Sequence, residues 1–269
     1  DEMWEAVARG PHRLALSAEA IQHFAEETSK KVNAGQARIV YWDDIKDNPP
    51  TQLKISPIAA IPHKSRSYRS ILDLSFTLCL KNGGILPSVN DTTIKTAPKG
   101  ALDQLGHALS RIIHAVAESE DNPDAKIFMA KWDVKDGFWR MMCEEGEEWN
   151  FAYVLPQLPG APIKLVVPTS LQMGWVESPP YFCAASETAR DIAMDYANTM
   201  VGSIPPHKFT HYTQGDKDAE RLPGGGTEHR PSGFRYNVEV YVDDFMCIVI
   251  PTSKEQLDHV ATAIMTGIH

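Results

Sequence analysis

After Ser17, Ile21, Phe24, Thr28 and Val32 recur at helical spacing and Gly35 offers a stop, so the pattern predicts an amphipathic packing helix. Between Leu53 and Leu74 the pattern changes. Ile55, Ile58, Ile61, Ile71 and Leu72 flank the run His63-Lys64-Ser65-Arg66-Ser67-Tyr68-Arg69, which predicts two extended pieces joined by a basic loop. A second helix is expected from about Ala101 to Ala117, with Leu102, Leu105, Leu109, Ile112, Ile113 and Val116 on one face and Pro98 and Gly100 at its start. Asp121-Asn122-Pro123-Asp124 is turn chemistry, and the largely apolar run Ile127 to Val134 after it suits a central strand ending near Asp133. Ser178-Pro179-Pro180 reads as a helix start ahead of the stripe Phe182, Ala185, Ala189, Ile192, Tyr196 and Met200. A Gly/Pro-rich stretch of about 202–235 reads as a long loop or insertion. Val238 to Val242 alternates, Asp243-Asp244 follows, and Phe245 to Ile250 is apolar again: strand, tight acidic turn, strand. Thr252 and Glu255 match a capping box before Leu257, Val260 and Ile264.

Composition narrows the class. The chain has 269 residues, 43% of them hydrophobic and 23% charged, which is globular rather than disordered or fibrous and allows one large domain or two small ones. No run approaches the roughly 18 apolar residues of a membrane span, and Asp1-Glu2-Met3-Trp4 is no signal sequence. The expectation is an intracellular protein, cytoplasmic or nuclear, with no membrane partner and no secretion. The helical pattern still running at His269 suggests a piece of a longer protein. Cys79, Cys143, Cys183 and Cys247 are too dispersed for a zinc ribbon or a disulfide framework.

Net charge is −9, yet residues 51–115 carry eight basic side chains against three acidic ones. That asymmetry suggests one basic surface that meets an anion, with a solvated charged face as the plain alternative.

Two adjacent aspartates between apolar strand segments demand compensation, because their charges repel and strand interiors disfavour Asp. An exposed hairpin turn is the simplest reading. A third carboxylate, Asp133, closes another apolar run. If that run and the hairpin share a sheet, three carboxylates converge where oxygen ligands hold divalent cations. Such a site suits paired magnesium ions about 3.5 to 4 Å apart and nucleotidyl transfer. The other acidic pairs, Asp43-Asp44 and Glu144-Glu145, do not end strands in such a context.

Tyr241-Val242-Asp243-Asp244 resembles the Tyr-x-Asp-Asp box of reverse transcriptases, and Trp132-Asp133-Val134-Lys135-Asp136-Gly137-Phe138 is similar to their first catalytic aspartate segment. Leu171-Gln172-Met173-Gly174-Trp175 through Ser178-Pro179-Pro180-Tyr181-Phe182 resembles the family's Gly-and-Ser-Pro segment, and Tyr68-Arg69-Ser70-Ile71-Leu72-Asp73-Leu74 its fingers segment. The four motifs stand in the family's order, from about Ile55 to Ile250.

The resemblance implies an α+β right-hand polymerase. Its organisation would be an N-terminal helical extension at 1–50, fingers with part of the palm at 51–120, and a palm at 121–269 whose antiparallel sheet is backed by helices. Asp133 and Asp243 would bind the catalytic metals, magnesium or manganese, with Asp244 beside them. Arg69, with Lys64 or Arg66, would meet the nucleotide triphosphate, since cations offset phosphate charge during transfer. Backbone at Asp136 and Gly137 would approach phosphates, Phe138 would form an aromatic gate against a ribose 2′-hydroxyl, and Gly174 would let the chain pass close to the new base pair. Met173 stands where the family commonly has Gln. Leu74-Ser75-Phe76 after Asp73 and the long stretch between Gly174 and Asp243 also depart from the best-known retroviral enzymes.

The expected function is therefore RNA-directed DNA polymerase of a retroelement. It would act on a primer-template duplex and deoxynucleoside triphosphates, with thumb and ribonuclease H segments elsewhere in a longer polyprotein. Two alternatives remain open: a catalytically inactive nucleic-acid-binding scaffold descended from such a polymerase, and an RNA-dependent RNA polymerase. His207 and His211 lack the cysteines that would complete a zinc site and read as loop histidines.

Overall fold

The computed structural model describes residues 2–64, 68–117, 126–199, 235–251 and 253–269. In chain order its elements are α1 (Glu2–Arg9), α2 (Ala18–Asn33), β1 (Ala37–Tyr41), α3 (Trp42–Ile45), β2 (Ile58–Pro62), β3 (Tyr68–Leu72), β4 (Leu78–Cys79), β5 (Ile85–Leu86), α4 (Val89–Thr92), α5 (Gly100–Leu105), α6 (Ala108–Ala117), β6 (Phe128–Asp133), β7 (Tyr153–Val154), β8 (Lys164–Pro168), α7 (Ser178–Ala197), β9 (Arg235–Tyr241), β10 (Asp244–Ile250) and α8 (Lys254–Ile268). All pairings between these strands are antiparallel, which with the helices makes an α+β chain. It divides into two compact units, Asp1–Thr96 with Asp136–Ser178, and Ala97–Lys135 with Pro179–His269. Among the described residues no helix is long and apolar enough to cross a membrane.

In the first unit, α2 starts where the sequence places it, because the Ser17 side chain accepts the Ala20 N–H and satisfies a donor that the first turn leaves unpaired. Its Phe24 is buried with Ile58, Leu72, Tyr153 and Val166. The sheet has the order β1-β8-β7, and Leu165, Val166 and Val167 of the middle strand are all buried. They do not alternate because both faces are covered: Val166 faces the cluster around Phe24, whereas Leu165 and Val167 meet Ala6, Val7 and Trp42. The two extended pieces around the basic run are β2 and β3, paired with Ile58 opposite Leu72 and Ile61 opposite Arg69.

The second unit is built on a sheet of order β6-β10-β9. Val238, Val240, Phe245, Cys247 and Val249 line one face and pack against Ala193 of α7 and Val260 and Ile264 of α8. On β9, Glu239 is 1% exposed, a costly position for a lone carboxylate. Arg111 of α6 compensates it: Nε donates to both carboxylate oxygens at 2.7 and 2.8 Å, and Asn237 adds a third bond at 3.0 Å.

Three expectations are corrected. The helix expected over 101–117 is two helices, α5 and α6, broken at Gly106-His107, where glycine weakens helix propagation. Its stripe therefore does not share one core; Ile112 is buried, whereas Leu109 and Ile113 are exposed. The run ending at Asp133 is an edge strand among the described residues rather than a central one, with β10 in the middle. Finally, Ser253 rather than Thr252 is the N-cap of α8, its side chain accepting the Gln256 N–H. The turn at 121–124, most of the 202–235 insertion, and Thr252, His207 and His211 lie outside the described residues.

Helices α7 and α8 touch at Gly267. A Cβ there would lie 2.7 Å from the Ala193 nitrogen and 2.8 Å from the Ala189 oxygen. Backbone cannot move aside as a side-chain tip can. Gly267→Ala gains about 1 kcal/mol of helix propensity but incurs about 1–3 kcal/mol of overpacking. The expected outcome is a lowered urea midpoint; an unchanged or raised one would show that the two helices are not in backbone contact.

Candidate metal centre and nucleotide contacts

Antiparallel register assembles the acidic cluster. Asp133, the last residue of β6, lies opposite Asp244, the first of β10, and Asp244 in turn lies opposite Tyr241 of β9. Directly opposed residues project to the same face, so the two carboxylates emerge side by side. Val242 and Asp243 form the two-residue turn between β9 and β10, and the Asp243 carbonyl accepts the Val134 N–H at 3.0 Å. The turn is thereby tied to the chain leaving β6. One carboxylate oxygen from each of Asp133, Asp243 and Asp244 lies within 4.8 Å of the other two.

Val242 sits at φ +60° in this turn. Positive φ at the first of two hairpin residues is usually left to glycine, and a β-branched residue there is a genuine outlier.

Lys131 meets the cluster. It stands two residues before Asp133, hence on the same strand face, and its Nζ lies 2.7 Å from an Asp244 oxygen. The hydrogen bond to Asp244, reinforced by the charges of Asp244, Asp133 and Asp243, holds its ammonium above the ordinary lysine value. Three carboxylates against this one ammonium leave two negative charges, and carboxylate oxygens are the donors a hard divalent cation prefers. The donor set therefore fits a hard divalent cation, with Asp133, Asp243 and Asp244 as the residues that would hold it.

The proposed nucleotide contacts, except Arg66, are described in the first unit. Arg66 lies outside the described residues, and Lys64 stands just before that gap in the β2–β3 connection. Arg69 of β3 is exposed and donates from Nη2 to Met173 Sδ at 2.9 Å. A thioether is a weak acceptor, whereas a phosphate oxygen is a strong one. Met173 is itself 57% exposed.

Gly174 has φ +101°, where an L side chain is strained, and an added Cβ would lie 3.4 Å from the Leu72 carbonyl oxygen. Asn90 clamps this loop, donating to the Gly174 carbonyl at 2.9 Å and accepting the Val176 N–H at 3.0 Å. Trp175 Nε1 donates to Thr93 Oγ1 at 2.8 Å, and Ser178 Oγ donates to the Gln172 carbonyl at 2.7 Å.

Asp136 is left-handed at φ 57° and precedes a 3-10 turn, Gly137–Arg140, in which Gly137 is buried and Phe138 half-buried. Lys31 holds this segment from α2, with Nζ 3.5 Å from Asp136 Oδ1 and 4.2 Å from the centre of the Trp139 ring.

No protein-family model matches the chain, and no curated protein matches it. Function therefore rests on the residues themselves. One rival reading fails on geometry. His23 Nε2 lies 3.1 Å from Ser70 Oγ and 3.3 Å from Glu27 Oε2, and Ser70 also donates to Glu27. Both partners use the same ring nitrogen, whereas a hydrolytic triad needs the acid on the opposite one.

Sequence reasoning missed Lys131, Asn90 and the strain at Val242. Only Lys131 left a signal, as a cation two positions from Asp133 inside an apolar run.

Val242→Gly relieves a strain of about 1–3 kcal/mol and loses about 0.5–1 kcal/mol to chain entropy. Urea unfolding should show a net gain of about 1 kcal/mol. A destabilised variant would mean that the Val242 side chain contributes more by packing than its backbone costs.

Proposed function

We propose that this chain is the fingers and palm of an RNA-directed DNA polymerase of a retroelement, which extends a primer 3′-hydroxyl with deoxynucleotides by two-metal nucleotidyl transfer. The observation that carries the reading is the convergence of Asp133, Asp243 and Asp244, from two strands distant in sequence, within 4.8 Å. An exposed acidic turn explains Asp243-Asp244 alone, but not the third carboxylate set opposite them. The motif order described above turns a generic acidic site into this one.

Each group has a physical task in that reading. The three carboxylates hold divalent ions, which when bound lower the pKa of the attacking hydroxyl and stabilise the departing pyrophosphate. Arg69 exchanges a thioether for a triphosphate oxygen and offsets charge that grows in the transition state. Asn90 keeps the Gly174 backbone in its left-handed shape, so that no side chain stands between the loop and a base pair. Phe138, on its 3-10 turn, opposes a 2′-hydroxyl.

Single-nucleotide incorporation on a primed RNA template, with magnesium, tests this directly. Asp243→Asn should lower the rate by at least two to three orders of magnitude, roughly the effect of removing one electrostatic stabiliser of a transition state. If neither form incorporates while both bind the duplex, the chain is the scaffold instead. Phe138→Ala should admit ribonucleotides; unchanged sugar discrimination would remove the gate from the mechanism and reopen the RNA-polymerase alternative.

A further inference from the structure

Lys131 has no part in the motifs above, yet its side chain reaches the acidic cluster. It lies on β6 opposite Met246 of β10, one strand-face step from the Asp133–Asp244 pair, so its bond to Asp244 is the diagonal contact of an antiparallel sheet. Lys131 is 60% exposed at its side chain and Asp244 30%. The ammonium is not buried by packing; charge attraction holds it there.

We infer that Lys131 is a tethered counter-cation that competes with a divalent metal ion for the Asp244 carboxylate. This rests on the metal-centre reading and adds a residue to it. With Lys131 on Asp244, like-charge repulsion in the cluster falls and the carboxylates stay gathered. A metal ion that takes an Asp244 oxygen displaces the ammonium, and the four-carbon stem lets it swing to solvent. Net affinity is thus set by the difference between two cations for one ligand. Asp133 and Asp243 act on Lys131 through charge without a direct ion pair, so metal held by those two meets less of the competition. The inference therefore predicts unequal ion sites, the weaker being the one that draws on Asp244.

Manganese binding to the unliganded protein, followed by electron paramagnetic resonance of the free ion, reads this without any catalytic turnover. Lys131→Met keeps an unbranched side chain, one atom shorter, at an exposed strand position and removes its charge. It should bind manganese about two- to fivefold more tightly, the range of an exposed ion pair, and the gain should shrink as salt rises. Lys131→Arg, which keeps the charge, should stay near the parent. In an Asp244→Asn background the Lys131→Met gain should vanish, because the competition runs through that carboxylate.

Equal manganese affinity in the parent and Lys131→Met, or a gain that persists in Asp244→Asn, would overturn the inference while leaving the metal centre intact. Absence of manganese binding in the parent and in every variant would overturn the metal centre and the inference together.

Discussion

Three carboxylates within 4.8 Å repel one another, and the second unit is organised around holding them there. Unit charges about 4 Å apart interact by about 1 kcal/mol in water and about 4 kcal/mol at the effective dielectric of a protein surface. The register of β6 on β10 supplies the restraint by placing Asp133 opposite Asp244. It depends on a sheet face filled by α7 and α8, since a one-residue slip of β6 would turn Trp132, which packs on that face opposite Phe245, away from it. The pair between half-buried Arg111 and buried Glu239 secures β9 from α6. The acidic cluster is thus a product of apolar burial some distance from it, and Lys131 moderates its charge without neutralising it.

The first unit solves a different problem, that of presenting backbone rather than charge. Its loop at Gly174 and its turn at Asp136 both take left-handed conformations, and each is held by side chains from elsewhere in the unit, Asn90 in one case and Lys31 in the other. Rigid support of exposed backbone is what recognition of a flat ligand edge or a phosphate requires. In the proposed polymerase these segments meet the nucleotide, and Arg69 keeps its guanidinium on a weakly bonding sulfur.

Much of this was legible in the sequence, for reasons that differ by element. Ser17 and the Phe24 stripe define α2 because a cap and a 3.6-residue period are local properties. The acidic hairpin was legible because an alternating run and an apolar run bracket it, although its turn falls at Val242-Asp243, one residue before the expected Asp243-Asp244, and Asp244 opens β10. The two-helix break at Gly106 was harder to see, since the apolar period continues across it and only tertiary packing decides that Leu109 and Ile113 stay exposed. The edge position of β6 was hidden because an apolar run covered on one face reads much like one covered on both. Asn90 left no trace at all: its two bonds to the Gly174 loop reach residues more than eighty positions away.

The backbone of Val242 bears on the order in which the molecule assembles. A hairpin whose turn residue resists its own conformation is a poor nucleus, so β9 and β10 gain little by meeting alone. Their pairing becomes favourable once β6, more than a hundred residues earlier, has joined β10 and the helices have covered the apolar face. Contacts that close so long a loop come late in folding. The like charges of the acidic cluster are therefore brought together last, after the burial able to withstand their repulsion already exists.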